Sequence, residues 1–229
     1  MTLHASALPI EAPQAFLGVT RSLTGKLWRD RLDARGAARA LAIVQRHNLP
    51  EMLARVLAGR DVAIDEVTDF LDPTIRKLMP DPHTITEMEQ AARRIADAAV
   101  RGEKVAIFGD YDVDGATSAA LLTWHLRHCG LDPLIHIPDR IFEGYGPNVD
   151  AVRALATKGA TLLVTVDCGT TSIEPLAEAK KLGMSVVVID HHQTGDELPE
   201  VDALVNPNRP DDLSGLGHLA AVGLVFVTL

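Results

Sequence analysis

Between residues 104 and 207 short apolar runs alternate with longer stretches whose apolar residues recur every three or four positions. KVAIFGD, PLIHIP, TLLVTVD, SVVVID and ALVNP are short, rich in β-branched residues and bounded by Gly, Pro or Asp, which predicts strands. ATSAALLTWHLRHCG, VDAVRALATKG and SIEPLAEAKKLG carry the helical period and stop at glycine. Ahead of the first strand, ITEMEQAARRIADAAVRG predicts a further helix, with Thr86 as N-cap and Gly102 just past its end. LAAVGLVFVTL reads as a last helix. Strands apolar throughout and separated by helices imply an α/β fold, a mainly parallel sheet with helices on both faces. Right-handed crossovers then gather the strand C-terminal ends along one rim.

The rhythm upstream is different. Residues 1 to about 20 are Ala/Pro-rich without a period, as in a loose tail. Residues 34–57 carry the helical spacing, interrupted at Asn48-Leu49-Pro50, which predicts two short helices. DEVTDFLDPTIRKLMPDPHT predicts one more between prolines. The chain therefore divides into a tail and helical lead, 1–83, expected to cap an edge of the main domain, and the α/β domain, 84–229.

With 47% apolar residues the chain can bury a substantial core, which excludes a disordered protein. Its 22 Lys and Arg against 31 Asp and Glu exclude a general basic footprint for nucleic acid. An anionic partner would have to meet local positive charge or metal ions. Cys129 and Cys168 are too few for a disulfide scaffold, and no stretch is long and apolar enough for a bilayer. A cytoplasmic protein with no membrane partner is the expectation.

Three predicted strands each end in an acid: Asp110, Asp167 and Asp190. In GDYDVDGATS, an extended backbone would project Asp110, Asp112 and Asp114 to one side, where they repel unless a multivalent cation neutralises them. Gly115 then permits a tight turn, and the helix opening at Ala-Thr-Ser offers free amides to a phosphate. An EF-hand loop fails, because its twelfth position is Leu121. A dinucleotide loop fails because the turn after the first strand is acidic. In VTVDCGTTS, Gly169 allows a sharp exit, and Cys168 reads as a buried thiol. In DHH, Asp190 and His192 are set against His191. A donor set of carboxylates with one or two imidazoles suits Mn²⁺ or Mg²⁺ better than Zn²⁺.

The motifs GDYDVDGATS, RIFEGYGPN, VTVDCG and VIDHHQTGDELP with ALVNPNRPDD, in this order, resemble the DHH phosphoesterase superfamily. Within it the chain is similar to the N-terminal part of the single-strand-specific 5′→3′ DNA exonucleases of bacteria, including the lead FLDPTIRKLMPDPHTITEMEQAARRI. That resemblance implies two-metal hydrolysis of phosphodiester bonds in recombination and repair, with two Mn²⁺ or Mg²⁺ ions in the complete protein. It implies Asp112 and Asp114 as ligands of different ions, Asp167 as their bridge and His191 as a ligand of the second. Asp110 and Asp190 become outer partners or added ligands, and His192 a contact to the scissile phosphate that protonates the leaving oxygen.

Arg140, Tyr145 and Gly146 of RIFEGYG, with Ser118, are implied substrate contacts; an internal Arg140–Glu143 pair in a glycine-hinged turn is the alternative. NPNRPDD reads first as a turn, with Asn206 and Arg209 as further candidate contacts. The implied partners are single-stranded DNA, a single-strand-binding protein and a helicase.

Two departures qualify the resemblance. Phe108 stands where some members carry a histidine ligand. The family's further metal-binding Asp, second catalytic domain and OB-fold are not in these residues, so a fragment that binds metal weakly and degrades DNA poorly is expected. A DHH phosphodiesterase of short oligonucleotides, cyclic dinucleotides or pyrophosphate, and a non-catalytic DHH-fold binding module, are the alternatives.

Overall fold

The computed structural model describes residues 15–229, so most of the expected tail lies outside the described residues. Its last part is tied down rather than loose: the amide of Phe16 donates to the carbonyl of Trp28 (2.9 Å) and that of Trp28 to Val19 (3.1 Å). The chain forms two compact units, Met1–Met79 and Pro80–Leu229.

The first unit is helical. Asp33 caps α1 (Ala34–His47) by accepting from the Gly36 amide at 2.7 Å, and Asn48, in the left-handed region, ends it. Helix α2 (Glu51–Gly59) follows Pro50, and Ile43, Ala54, Leu57 and Val67 form a small core. Where one helix is expected over residues 65–84 there are two, α3 (Val67–Leu71) and α4 (Ile75–Leu78). Pro73 causes the break: it lacks an amide and forces Asp72 out of the helical region, to φ −129° and ψ 71°.

In the second unit, α5 (Met88–Arg101) leads into β1 (Val105–Gly109), α6 (Val113–His128), β2 (Leu134–His136), α7 (Val149–Thr157) and β3 (Leu162–Val166). Then come α8 (Ile173–Lys181), β4 (Ser185–Ile189), β5 (Ala203–Val205) and α9 (Ala221–Thr228). The five strands are all parallel, in the order β2-β1-β3-β4-β5.

Alternate residues feed two cores. Val105, Ile107, Leu162, Val164 and Val166 pack with α5, α6 and α9, whereas Ala106, Phe108, Leu163, Val186 and Val188 pack with α7 and α8. Covering both faces explains why the strands are apolar without alternation.

Two predicted helix starts shift. Thr86 does not cap α5; Glu87, at φ 60°, occupies that position, and the Thr86 amide donates to Asp212 instead (2.8 Å). Helix α6 begins at Val113, three residues before the expected Ala116, capped by Asp112, whose side chain accepts from the Gly115 amide at 3.0 Å. Gly115 therefore lies in the first helical turn, not in a turn before it. Its lack of a side chain is still required, since a Cβ there would collide with the backbone of Asp110. No helix among the described residues is long and apolar enough to cross a membrane.

Candidate metal centre

In register, Gly109 pairs with Val166 and Val166 with Ile189, so β1, β3 and β4 end at one level. The residues that follow, Asp110, Asp167 and Asp190, leave the sheet side by side. After β1 the chain turns to β2 on one side, and after β3 to β4 on the other. The β1/β3 gap is thus the point where an open α/β sheet binds ligands.

Donor atoms of Asp110, Asp112 and Asp167 lie within 4.8 Å of one another, as do those of Asp167, His191 and His192. Asp167 belongs to both groups. Asp114 adds to the second: its Oδ2 lies 3.5 Å from His191 Nε2, which is 3.2 Å from Asp167 Oδ1. Asp110, Asp112 and Asp114 are not carried on one extended face. They sit at a strand end, at a helix cap and inside the first turn of α6, and the tight β1–α6 corner is what draws Asp110 and Asp112 together with Asp167.

The chemistry of these donors fits a cation. Asp167 is 1% exposed, and neither of its carboxylate oxygens, nor Oδ1 of Asp110, has a hydrogen-bond partner among the described residues. Burial first, then the charges of Asp114 and Asp112, push the Asp167 carboxyl up to about 8, so without a cation it holds a proton at neutral pH. Burial likewise raises Asp110. The carbonyl of Leu219 lies 3.0 Å from Nδ1 of His191; a carbonyl only accepts, so Nδ1 carries the proton. Nε2 is the ring atom turned to Asp167 and Asp114, so the imidazole and the two carboxylates converge on one point where a divalent ion can be held.

Asp190 does different work. One carboxylate oxygen accepts from the amides of His191 (2.8 Å) and His192 (3.2 Å) and lies 2.7 Å from Nδ1 of His192; the other accepts from the Thr170 amide at 3.0 Å. Burial alone would raise its carboxyl, but the bonds from His192 and Thr170 outweigh it and bring it down to about 2. The same contact raises His192 and favours its imidazolium form. Asp190 orients the DHH turn and is fully engaged in doing so.

Other predicted residues spread out. The Tyr145 hydroxyl donates to the Asp167 carbonyl (3.3 Å) and meets Nδ1 of His192 (3.2 Å), which places it at the centre. Gly146, at φ 75°, lets the chain pass Ser172, whose Oγ would lie 3.4 Å from a Cβ. Arg140 makes no pair with Glu143; its guanidinium lies 4.9 Å over the Tyr111 ring, and Glu143 bonds His136 instead (2.8 Å). Ser118 is wholly buried on the inner face of α6 and presents nothing to a substrate in this conformation.

Asn206 is also buried and donates to Thr170 Oγ1 and the His192 carbonyl, both at 2.9 Å, so it braces the turn from beneath. Arg209 is held by Glu87 (3.0 Å) and Asp211 (2.6 Å) and donates to the Leu204 carbonyl (2.7 Å), which commits it to packing rather than to a ligand. Cys168 is buried with its thiol toward the Val166 carbonyl, and Phe108 stacks on His136.

The contribution of the α9 end is not legible in the motifs. Both Asp114 oxygens accept from amides at the start of α9, Ala221 at 2.7 Å and Val222 at 2.8 Å, so the carboxylate complements the positive end of that helix. Asn208, which bonds the His191 and Gly217 carbonyls, completes the brace. NPN after an apolar strand was the only sequence signal for it.

The sequence matches the family model described as DHH family, N-terminal domain, over residues 104–229. It is 41% identical over 146 residues to the single-stranded-DNA-specific exonuclease RecJ of Bacillus subtilis (strain 168), covering 64% of this chain and 19% of that protein. To the protein of the same name from Salmonella typhimurium (strain LT2) it is 36% identical over 180 residues, covering 78% and 30%. The crystal structure of RecJ in complex with Mn²⁺ from Thermus thermophilus superposes with a TM-score of 0.66 at 26% identity, over 83% of this chain and 26% of that one. The chain spans 19% and 30% of the length of the two curated relatives.

Proposed function

The chain belongs to the DHH family, and from that membership and the geometry of its donor atoms we propose that it carries the divalent-cation centre of a hydrolase that degrades single-stranded DNA from the 5′ end. The observation that carries this reading is the pair of overlapping donor groups that share the buried, unbonded carboxylate of Asp167. Asp110, Asp112 and Asp167 would hold one Mn²⁺ or Mg²⁺ ion, and Asp114, Asp167 and His191 the other. Bound there, such ions supply a hydroxide nucleophile at neutral pH and offset charge on the phosphoryl oxygens.

The protein's own groups set the rest. Asp190 orients His192 and favours its imidazolium form, which can contact the scissile phosphate and give a proton to the leaving oxygen. The Tyr145 hydroxyl meets the same nitrogen, Nδ1, and its ring packs edge-on against the imidazole. Arg140, exposed beside Tyr111, offers a positive charge to a phosphate next to the acidic centre. The reading includes work in DNA repair and recombination in the cytoplasm, with a single-strand-binding protein and a helicase as partners.

The test is Mn²⁺-dependent release of nucleotides from 5′-phosphorylated single-stranded DNA by the protein that carries these residues. Asp167→Ala is expected to lower the rate at least about a hundredfold without loss of secondary structure. Undiminished release by Asp167→Ala, or hydrolysis confined to cyclic dinucleotides, would overturn the reading.

A further inference from the structure

The loop of residues 139–146 leaves the end of β2 and is fixed by its own acids. Asp139 accepts from the amides of Ile141 (2.8 Å) and Phe142 (3.2 Å), while one Glu143 oxygen accepts from the Asp139 amide (3.0 Å). The other Glu143 oxygen meets His136 Nε2 at 2.8 Å and accepts from Asn148 at 3.1 Å. A backbone tied at this many points is ordered before anything binds to it. Its tip nevertheless holds two large apolar side chains, Ile141 and Phe142, each 86% exposed. Polar residues would satisfy the turn equally well, so the apolar pair is a contact surface whose ordering cost is met in advance.

The position of the tip indicates what it contacts. Three residues beyond Phe142, Tyr145 reaches the Asp167 carbonyl and His192. Immediately before Ile141, Arg140 lies over Tyr111, which stands between the donors Asp110 and Asp112. The tip is thus joined on both sides to the metal centre. A nucleic acid strand with a phosphate at that centre carries, a few ångströms away, flat apolar bases on an anionic backbone. Arg140 complements the backbone and an aromatic ring complements a base face. In a duplex those faces are already stacked on their neighbours, whereas in a single strand they are free.

We infer that Phe142, flanked by Ile141, is a stacking platform for an unpaired base next to the scissile phosphate. The inference rests on the phosphodiesterase reading and adds to it a residue that selects single strands. Because the side chain is exposed, Phe142→Ala should fold normally and melt at the wild-type temperature.

In Mn²⁺-dependent nucleotide release from a 5′-phosphorylated oligonucleotide, Phe142→Ala is expected to raise KM about tenfold at unchanged kcat, the scale of one lost stacking contact, while Phe142→Trp keeps the wild-type KM. Replacing the first six nucleotides by abasic residues, one at a time, should reveal one position where wild type loses the same factor and Phe142→Ala loses nothing more. Wild type that hydrolyses single strands alongside a Phe142→Ala variant of unaltered KM would overturn this inference alone, and assign the tip to a protein partner. Wild type that neither binds nor hydrolyses single strands would overturn the phosphodiesterase reading together with it.

Discussion

A carboxylate that is 1% exposed with both oxygens unbonded, as at Asp167, loses its hydration with nothing in return unless a proton or a cation arrives. The backbone there is in the left-handed region, at φ 60°, which Asp and Asn tolerate best among residues with a side chain. Asp167→Asn therefore keeps the turn while removing a buried acid beside Asp112 and Asp114. In chelator it should stabilise the protein by about 1–2 kcal/mol in urea denaturation, and added Mn²⁺ should no longer raise the midpoint. A metal-free variant less stable than wild type would show that the acid is satisfied without a cation. That Asp167 is an acid at a strand end was legible in VTVD. That both its oxygens would be stranded was not, because stranding depends on what four other segments place around it.

At the scale of elements, the strands and most helices were readable because burial on both faces forces continuous apolar runs, and because glycine marks helix ends. The errors fell where a side chain from afar decides the outcome. Thr86 looked like a cap, but Asp212 takes its amide; the acidic GDYDVDG looked extended, but Asp112 turns it into the start of α6. A comparable link joins α5, β1 and β3. Glu103 accepts from Arg94 at 2.6 and 3.3 Å and from Thr161 at 3.2 Å, with its side chain 16% exposed.

The Arg94 bond holds the Glu103 carboxyl below its ordinary value of 4.5, so its contribution to stability is complete above that value and is lost as pH falls through the folded-state pKa. Glu103→Gln should cost about 1–2 kcal/mol at neutral pH. Chemical denaturation of the two proteins should then converge in acid, once the pH has fallen through the lowered folded-state pKa of Glu103; a gap that persists there would place the effect in packing rather than charge.

Across the whole molecule, the centre draws on the corner after β1, the ends of β3 and β4, the turn after β5 and the start of α9, all within Pro80–Leu229. Mn²⁺ binding should therefore slow amide exchange at residues 110–116, 167–170, 190–192 and 219–222 together, and leave α1 and α2 unchanged. Slowing limited to the first two of these stretches would separate α9 from the site. The parallel sheet and the rim were foreseeable from local pattern and crossover handedness. The role of α9 was not, since LAAVGLVFVTL carries no charged or metal-ligating residue and takes part only through backbone amides and a carbonyl.

The Asp114 carboxylate and the amides it accepts from lie 107 and 108 residues apart. During synthesis the acids of the first motif emerge from the ribosome well before the partners that aim them. Until Leu219 and Ala221 have followed and docked, His191 lacks the carbonyl that orients its ring and Asp114 lacks its helix end. The centre therefore matures late, and a nascent chain that has displayed the acids and histidines of residues 110–192 still lacks the contacts that aim His191 and Asp114.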